Sequence, residues 1–234
     1  SILLINCLLT LFAAPLRAQV PDSLIIPTLV QEQADSSRPK LNFRPKNLRL
    51  GMDIVPPLVF AFDQDAWEIS VYGELEFNPV FQMSFDIGQA RRIRSGDGHR
   101  YESQGFYVRL GFDYNIWHKN TSGAGALFNI GLYYGIARFQ HELSFQRAGS
   151  YWEGIDENLE ANGLQRGWLE IRSSLKAKIG KNFFFGPVAR LMLGLGSDDD
   201  APLAVNDVPG YGLNNRVKLR AGYLLLYQIP LTKN

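Results

Sequence analysis

The sequence is poor in the residues that most protein chemistry uses. Its 234 residues hold one cysteine, three histidines and three methionines. A lone cysteine, Cys7, excludes a disulfide framework, and without Cys/His pairs at ligand spacing there is no zinc-site pattern. Charge of one sign is missing too. With 24 Lys+Arg against 23 Asp+Glu, the formal net charge is +1. That excludes the long-range attraction by which basic proteins find nucleic acid. No apolar run approaches the roughly 20 residues a membrane helix needs. Nor is there a sustained 3.6-residue apolar stripe, so a helical bundle is excluded.

What is abundant is aromatic and glycine: aromatics make up 12% of the chain, and there are 22 Gly. The apolar stretch 2–14, followed by Leu16-Arg17-Ala18-Gln19, reads as a secretory signal peptide cleaved after Ala18. Its removal takes away Cys7 and Arg17 and leaves acidic and basic residues equal in number. Residues 19–46, with QEQADSSRPK at their centre, read as a solvated periplasmic linker.

From Asn47 the chain alternates with a period of two, segment after segment. Leu48, Leu50 and Met52 oppose Arg49, Gly51 and Asp53, until Pro56-Pro57 disturbs the far end of that strand. Ile69, Val71 and Leu75 oppose Glu68, Glu74 and Glu76. Phe81, Met83, Phe85 and Ile87 oppose Gln82, Ser84 and Asp86. Phe106, Val108, Leu110 and Phe112 oppose Arg109 and Asp113. The remaining segments start near Phe128, Leu169, Phe183 and Val217, and the phase of the first of these slips near Ala137, as at a β-bulge or where a strand leaves the membrane. The pattern predicts eight strands. Asn78-Pro79-Val80 and Gly180-Lys181-Asn182 are tight turns that pair Phe77 with Phe81 and Ile179 with Phe183. At the other end the connections 91–103, 147–163 and 195–213 read as long polar loops.

Short turns at one end and long loops at the other describe an eight-stranded antiparallel up-and-down transmembrane β-barrel, occupying 47–231, with a polar, charge-paired lumen. A soluble barrel or sandwich also alternates. Two features favour the membrane form. The polar face carries many glycines, among them Gly88, Gly111, Gly131, Gly135 and Gly222, which a crowded lumen needs and a solvated face does not. Aromatics such as Trp67, Phe77, Phe106, Phe128 and Tyr227 sit near the ends of the apolar faces, as in interfacial girdles.

Several stretches carry a resemblance: NLRLGMD at 47–53, FYVRLGFDYNIW at 106–117, NIGLYYGIARFQHEL at 129–143, GWLEIRSSLKAKIGKNFFFG at 167–186 and YLLLYQIPL at 223–231. Together they resemble an uncharacterised family, a domain of unknown function, of small outer-membrane β-barrels from Gram-negative bacteria. The resemblance implies the barrel and the outer-membrane location, and it supplies no catalytic residue.

The candidate site is the lumen. Asp53, Glu68, Glu74, Glu76, Asp86 and Asp113 form an acidic wall, with Arg109 among them. Arg172, Lys176, Arg190, Arg216, Lys218 and Arg220 form a basic wall, with Glu170 among them. An unpaired charge in so narrow an interior costs several kcal/mol, so the two walls are expected to pair and fill the bore. Arg172 is expected opposite Arg190, and Arg190 is expected to pair with Glu68, Glu74, Asp86, Asp113 or Glu170. No catalytic residue, metal site or cofactor is expected; Asp198-Asp199-Asp200 reads as a solvated acidic loop.

The expected role is non-enzymatic: an integral outer-membrane protein acting as a structural or accessory subunit, or as a surface-binding protein through its extracellular loops and lipid-facing wall, and not an open pore. The expected partners are outer-membrane lipids, other outer-membrane proteins and, during insertion, the barrel-assembly machinery. The alternative is an outer-leaflet lipid-modifying enzyme using His141 with Glu142 and Ser144, or His99 with Asp97 and Ser103.

Overall fold

Alternating side chains leave each strand with one apolar and one polar face, and closing the sheet on itself removes both edges. The computed structural model shows this closure. It describes residues 44–96, 98–118, 125–146, 156–196 and 205–231. The expected signal peptide, nearly all of the expected linker, Asp97, and the segments 147–155 and 197–204 lie outside these residues.

The elements are β1 (Asn47–Asp53), α1 (Val55–Phe62), β2 (Ala66–Glu76), β3 (Phe81–Gly96), β4 (His99–Asn115), β5 (Ala126–Gln146), β6 (Asp156–Lys178), β7 (Phe183–Leu195), a miniature hairpin of β8 (Asp207–Val208) and β9 (Gly212–Leu213), and β10 (Val217–Pro230). Eight strands close in the order β1-β10-β7-β6-β5-β4-β3-β2, every pair antiparallel. Both tight turns fall as expected. Phe77 N–H donates to the Phe81 carbonyl at 3.4 Å, and Ile179 N–H to that of Phe183 at 2.9 Å. Asn78 shapes the first by accepting from the N–H groups of Val80 and Phe81, each at 2.8 Å.

The opposite end departs from expectation. The segment 91–103 is a strand hairpin and not a loop: Arg91 pairs with Gln104, and the ladder runs on to Gly96 and His99. β5 and β6 likewise continue far beyond the last apolar outward residue. Once a strand leaves an apolar surround its outward face no longer has to be apolar, yet its backbone ladder persists. The alternation then carries charge, and apolar periodicity ceases to mark the strand.

β5 itself keeps its phase: Ala137, Phe139 and His141 all point inward and are buried. The irregularity lies on β6, where Phe139 pairs with Leu164 but His141 with Ala161, the extra residue being accommodated around Gly163 at φ 73°. The apolar residues change sides because β5 emerges from the belt, the second of the two expected causes.

The helix is also unexpected. Pro56 and Pro57 do not merely disturb a strand. They occupy the first turn of α1, where no N–H is needed for an intrahelical bond. Asp53 ends β1 and starts the turn into α1, its Oδ1 accepting from Val55 N–H and Tyr223 N–H, both at 3.1 Å.

Outward lies an apolar belt. On β4, Phe106, Leu110 and Phe112 are exposed, as are Leu132 on β5, Leu191 on β7 and Leu225 on β10. No outward position in this belt carries a charge; the first charged outward residues are Arg91, Glu102 and Arg138. Near the tight turns aromatics pair edge to face or tilted: Phe81 with Tyr114, Trp117 with Phe128, Phe183 with Tyr227.

Candidate functional site

The inward face is the candidate site. Its floor is built where β1 meets β2. Arg49 bonds the carboxylates of Glu74 and Glu76, and its Nε donates to Gln228 at 2.9 Å. Lys176 reaches across from β6 to the same Glu74. Tyr72 donates to this carboxylate or to Ser84, at 3.1 and 3.0 Å. Asp113 accepts from Ser84 and Tyr133.

Above the floor, three arginines stand in one cross-strand row: Arg172 opposite Arg190, and Arg190 opposite Arg220. Like charges so placed repel, and each has its own carboxylate. Arg172 pairs with Glu170 at 2.8 Å, Arg190 with Asp53 at 2.7 Å, and Arg220 with Glu68 at 2.6 Å. Arg109 adds a fourth, 2.9 Å from Asp86 and 3.6 Å from Glu170. Arg172 also lies over the Tyr133 ring, 3.8 Å from its centroid, and Arg109 over Tyr107 at 4.7 Å. Arg109, Arg172 and Arg190 are each 1% exposed, so the middle of the bore is filled by side chains. Glycine makes the room. A Cβ on Gly135 would overlap the Trp168 ring, and one on Gly222 would overlap the Asp53 carboxylate.

Arg190 meets one of its five expected partners, Glu170, at 3.7 Å, and its shorter contact, at 2.7 Å, is Asp53, which was not among them. β1 stops at Asp53, so this carboxylate sits at the strand's open end, within reach of β7 across β10. Asp113 forms no ion pair among the described residues and acts through its hydroxyl donors. Arg216 is not luminal: it is exposed just ahead of β10, where no alternation constrains it. Lys218 faces the mouth without an ion pair among the described residues. The lumen is also less polar than expected. Phe184, Val188, Leu224 and Leu226 point inward and cluster with Tyr72, because the arginine stems need apolar surface to pack on.

The mouth above this row is capped by residues read earlier as loop. Val208 and Tyr211 pack on Trp168, Met192, Tyr107 and Phe139. Arg92 and Arg94 approach the Asp207 carboxylate at 3.5 and 3.7 Å, and Ser103 donates to its carbonyl at 2.9 Å. Burial pushes the Asp207 carboxyl above its ordinary range against the pull of Arg92, Lys218 and Arg94. Nothing in the apolar patterning marked this hairpin; Pro209-Gly210 was its only local signal.

Of the residues proposed for lipid chemistry, those that are described do not assemble. His141 points inward, buried, with Tyr101 at 3.2 Å. Neighbours on a strand face opposite ways, so Glu142 and Ser144 share the other face and neither can join it. Ser144 instead bonds Glu142 and Asn158. His99 is exposed at a hairpin tip. Among the described residues no group of three or more His, Cys, Asp or Glu is arranged to hold a metal.

One sequence-family model matches the chain over residues 1–234. The chain belongs to the family described as "Domain of unknown function (DUF6048)". No curated protein matches this DUF6048 chain in sequence. Among solved structures it is similar to Ail, the attachment invasion locus protein of Yersinia pestis, at 11% identity and TM-score 0.39, covering 80% of this chain and 100% of that one. It is similar to CarO2 of Acinetobacter baumannii at 12% identity and TM-score 0.39, covering 79% and 98%. It is also similar to the N-terminal β-barrel domain of Pseudomonas aeruginosa OprF at 10% identity and TM-score 0.34, covering 79% and 98%.

Proposed function

We propose that this protein is an integral outer-membrane β-barrel with a closed bore and no catalytic activity, serving as a structural or accessory subunit or binding at the cell surface through the end opposite its tight turns. The observation that carries the reading is the charge-free outward belt. From Phe106 to Tyr114 on β4 every outward side chain is apolar or aromatic, and the largest of them are exposed. In water such a continuous surface would aggregate. In a bilayer a tilted strand of about 9–11 residues is what crosses. A barrel with short turns at one end and long strands beyond the belt at the other is the outer-membrane form. The filled arginine row supports a bore that does not conduct, and the scattered histidines support a non-enzymatic role. Export through the segment 1–18, with 19–46 as a periplasmic linker, belongs to the same reading. The test is fractionation of the expressed chain followed by urea washing. Retention in outer membranes is the expected result, and release by urea or recovery in the soluble periplasm overturns it.

A further inference from the structure

The barrel wall is incomplete on one side. β1 is only 7 residues long, and its ladder with β10 ends where Asp53 meets Leu224. Its ladder with β2 ends where Gly51 meets Tyr72. Residues 217–222 of β10 and 66–71 of β2 therefore continue upward with no strand between them. In a bilayer, unpaired strand edges facing lipid are costly. Here α1 occupies the seam. Its sequence VPPLVFAF has no charge, and Leu58, Val59, Phe60 and Phe62 are all exposed. Among the described residues a single ion pair, Arg220 with Glu68, ties β10 to β2 across the seam.

Behind α1 lies a cavity of about 240 Å³. One side is apolar, made by Val55, Pro56 and Val59 of α1 together with Trp67. The other is charged, made by Arg92, Lys218 and Arg220 together with the carboxylates of Glu68 and Asp207. Two of these cations are matched, Arg220 by Glu68 and Arg92 by Asp207. Lys218 forms no ion pair among the described residues, although the Asp207 carboxylate attracts it from farther off. Its ammonium lies against Gly212, whose φ of 94° and missing side chain leave the space open. A partly buried ammonium flanked by two guanidiniums is built to receive an anion with several oxygens. Pockets that engulf a whole drug-sized ligand measure roughly 300–1,000 Å³. This one is smaller, so it holds a headgroup and the first methylenes, and the rest of a chain must leave through the seam.

We propose that the seam under α1 is a binding site for a phosphate-headed lipid supplied from the membrane side, with the phosphate on Lys218, Arg92 and Arg220 and the acyl chains running out past Val59 along the apolar face of α1. The lateral supply rests on the membrane reading above; the site's chemistry does not. The full chain, purified in neutral detergent, is titrated with phosphatidic acid, with glycerol phosphate as the head alone and with diacylglycerol as the tail alone. Saturable one-to-one binding of phosphatidic acid is expected, with head and tail alone each at least tenfold weaker. Lys218→Gln and Val59→Trp are each expected to weaken it at least tenfold, in protein whose heat-shifted gel mobility shows an intact barrel. Neither residue holds the ion-pair row together, so both variants should fold. Glycerol phosphate binding as tightly as phosphatidic acid, or a Lys218→Gln barrel that binds unchanged, overturns the site. Wild-type protein is floated in parallel with phosphatidylcholine vesicles. Protein that floats yet binds no phosphatidic acid sinks the site alone. Protein that binds in micelles but does not float sinks the membrane reading and, with it, the lateral route.

Discussion

At the scale of single residues, the arginine row sets the stability of the lumen. Each guanidinium of Arg172, Arg190 and Arg220 is tolerable only because a carboxylate stands beside it. Removing one partner of a buried pair costs about 3–5 kcal/mol, because the other charge is left uncompensated. Arg190→Glu, which also sets Glu against Asp53, is expected to destabilise the barrel by about that amount, read from the urea midpoint of refolding into detergent. An unchanged midpoint would mean that the bore is wet and the charges screened. Gly135→Val tests packing at the same scale. The new side chain meets the Trp168 ring, and overpacking of this kind costs about 1–3 kcal/mol. Asp207 gives a pH dependence. Its folded-state pKa lies above the ordinary value, through burial, so the protonated form fits the docked hairpin better. Its contribution favours docking fully below the unfolded pKa and is lost as pH rises through the folded one. Hydrogen-exchange protection of residues 207–213 should therefore increase as pH falls through the carboxylate range. Asp207→Asn should flatten that dependence, and a profile untouched by the substitution would refute the assignment. Arg92 and Arg94, at 3.5 and 3.7 Å, oppose the trend but are well exposed and screened.

At the scale of elements, strands and belt separate cleanly. β5 runs from Ala126 to Gln146, yet its outward face is apolar only as far as Ile136. Leu132→Arg, in the belt, is expected to cost about 2–4 kcal/mol on refolding into vesicles. Gln140→Arg, on the same face of the same strand but beyond the belt, is expected to change stability by less than about 0.5 kcal/mol. Equal costs at the two positions would remove the distinction between embedded and projecting strand. The projecting part was hidden in the sequence because charge replaces apolar alternation there, as in Arg91 to Arg94. α1 was hidden for a different reason: two prolines in an apolar run read as a broken strand until their place in the first helical turn is seen.

At the scale of the whole molecule, a filled bore and a two-ended architecture give functional expectations. Purified protein in planar bilayers is expected to show no steady conductance, since Arg109, Arg172, Arg190 and Trp168 occupy the interior and the 207–213 hairpin caps it. A stable large-conductance channel would contradict the packing. Cysteine at Asn162, on the projecting hairpin, should label from outside intact cells, whereas cysteine at Lys181, in a tight turn, should not. The reverse pattern would invert the topology.

The sequence by itself determined the strand number, the facing of each strand, both tight turns and the register that sets Arg172 opposite Arg190. All follow from a period of two and from turn residues, which are local. Only the tertiary structure decided which carboxylate each arginine meets, how far the ladders extend and where the wall is left open. Arg190 meets Asp53 because β1 is short and closes against β10, and the stagger of a closed barrel is a property of all eight strands together. The seam under α1 has the same origin. It exists because β10 and β2 outrun the strand between them, and no single segment records the length of its neighbours.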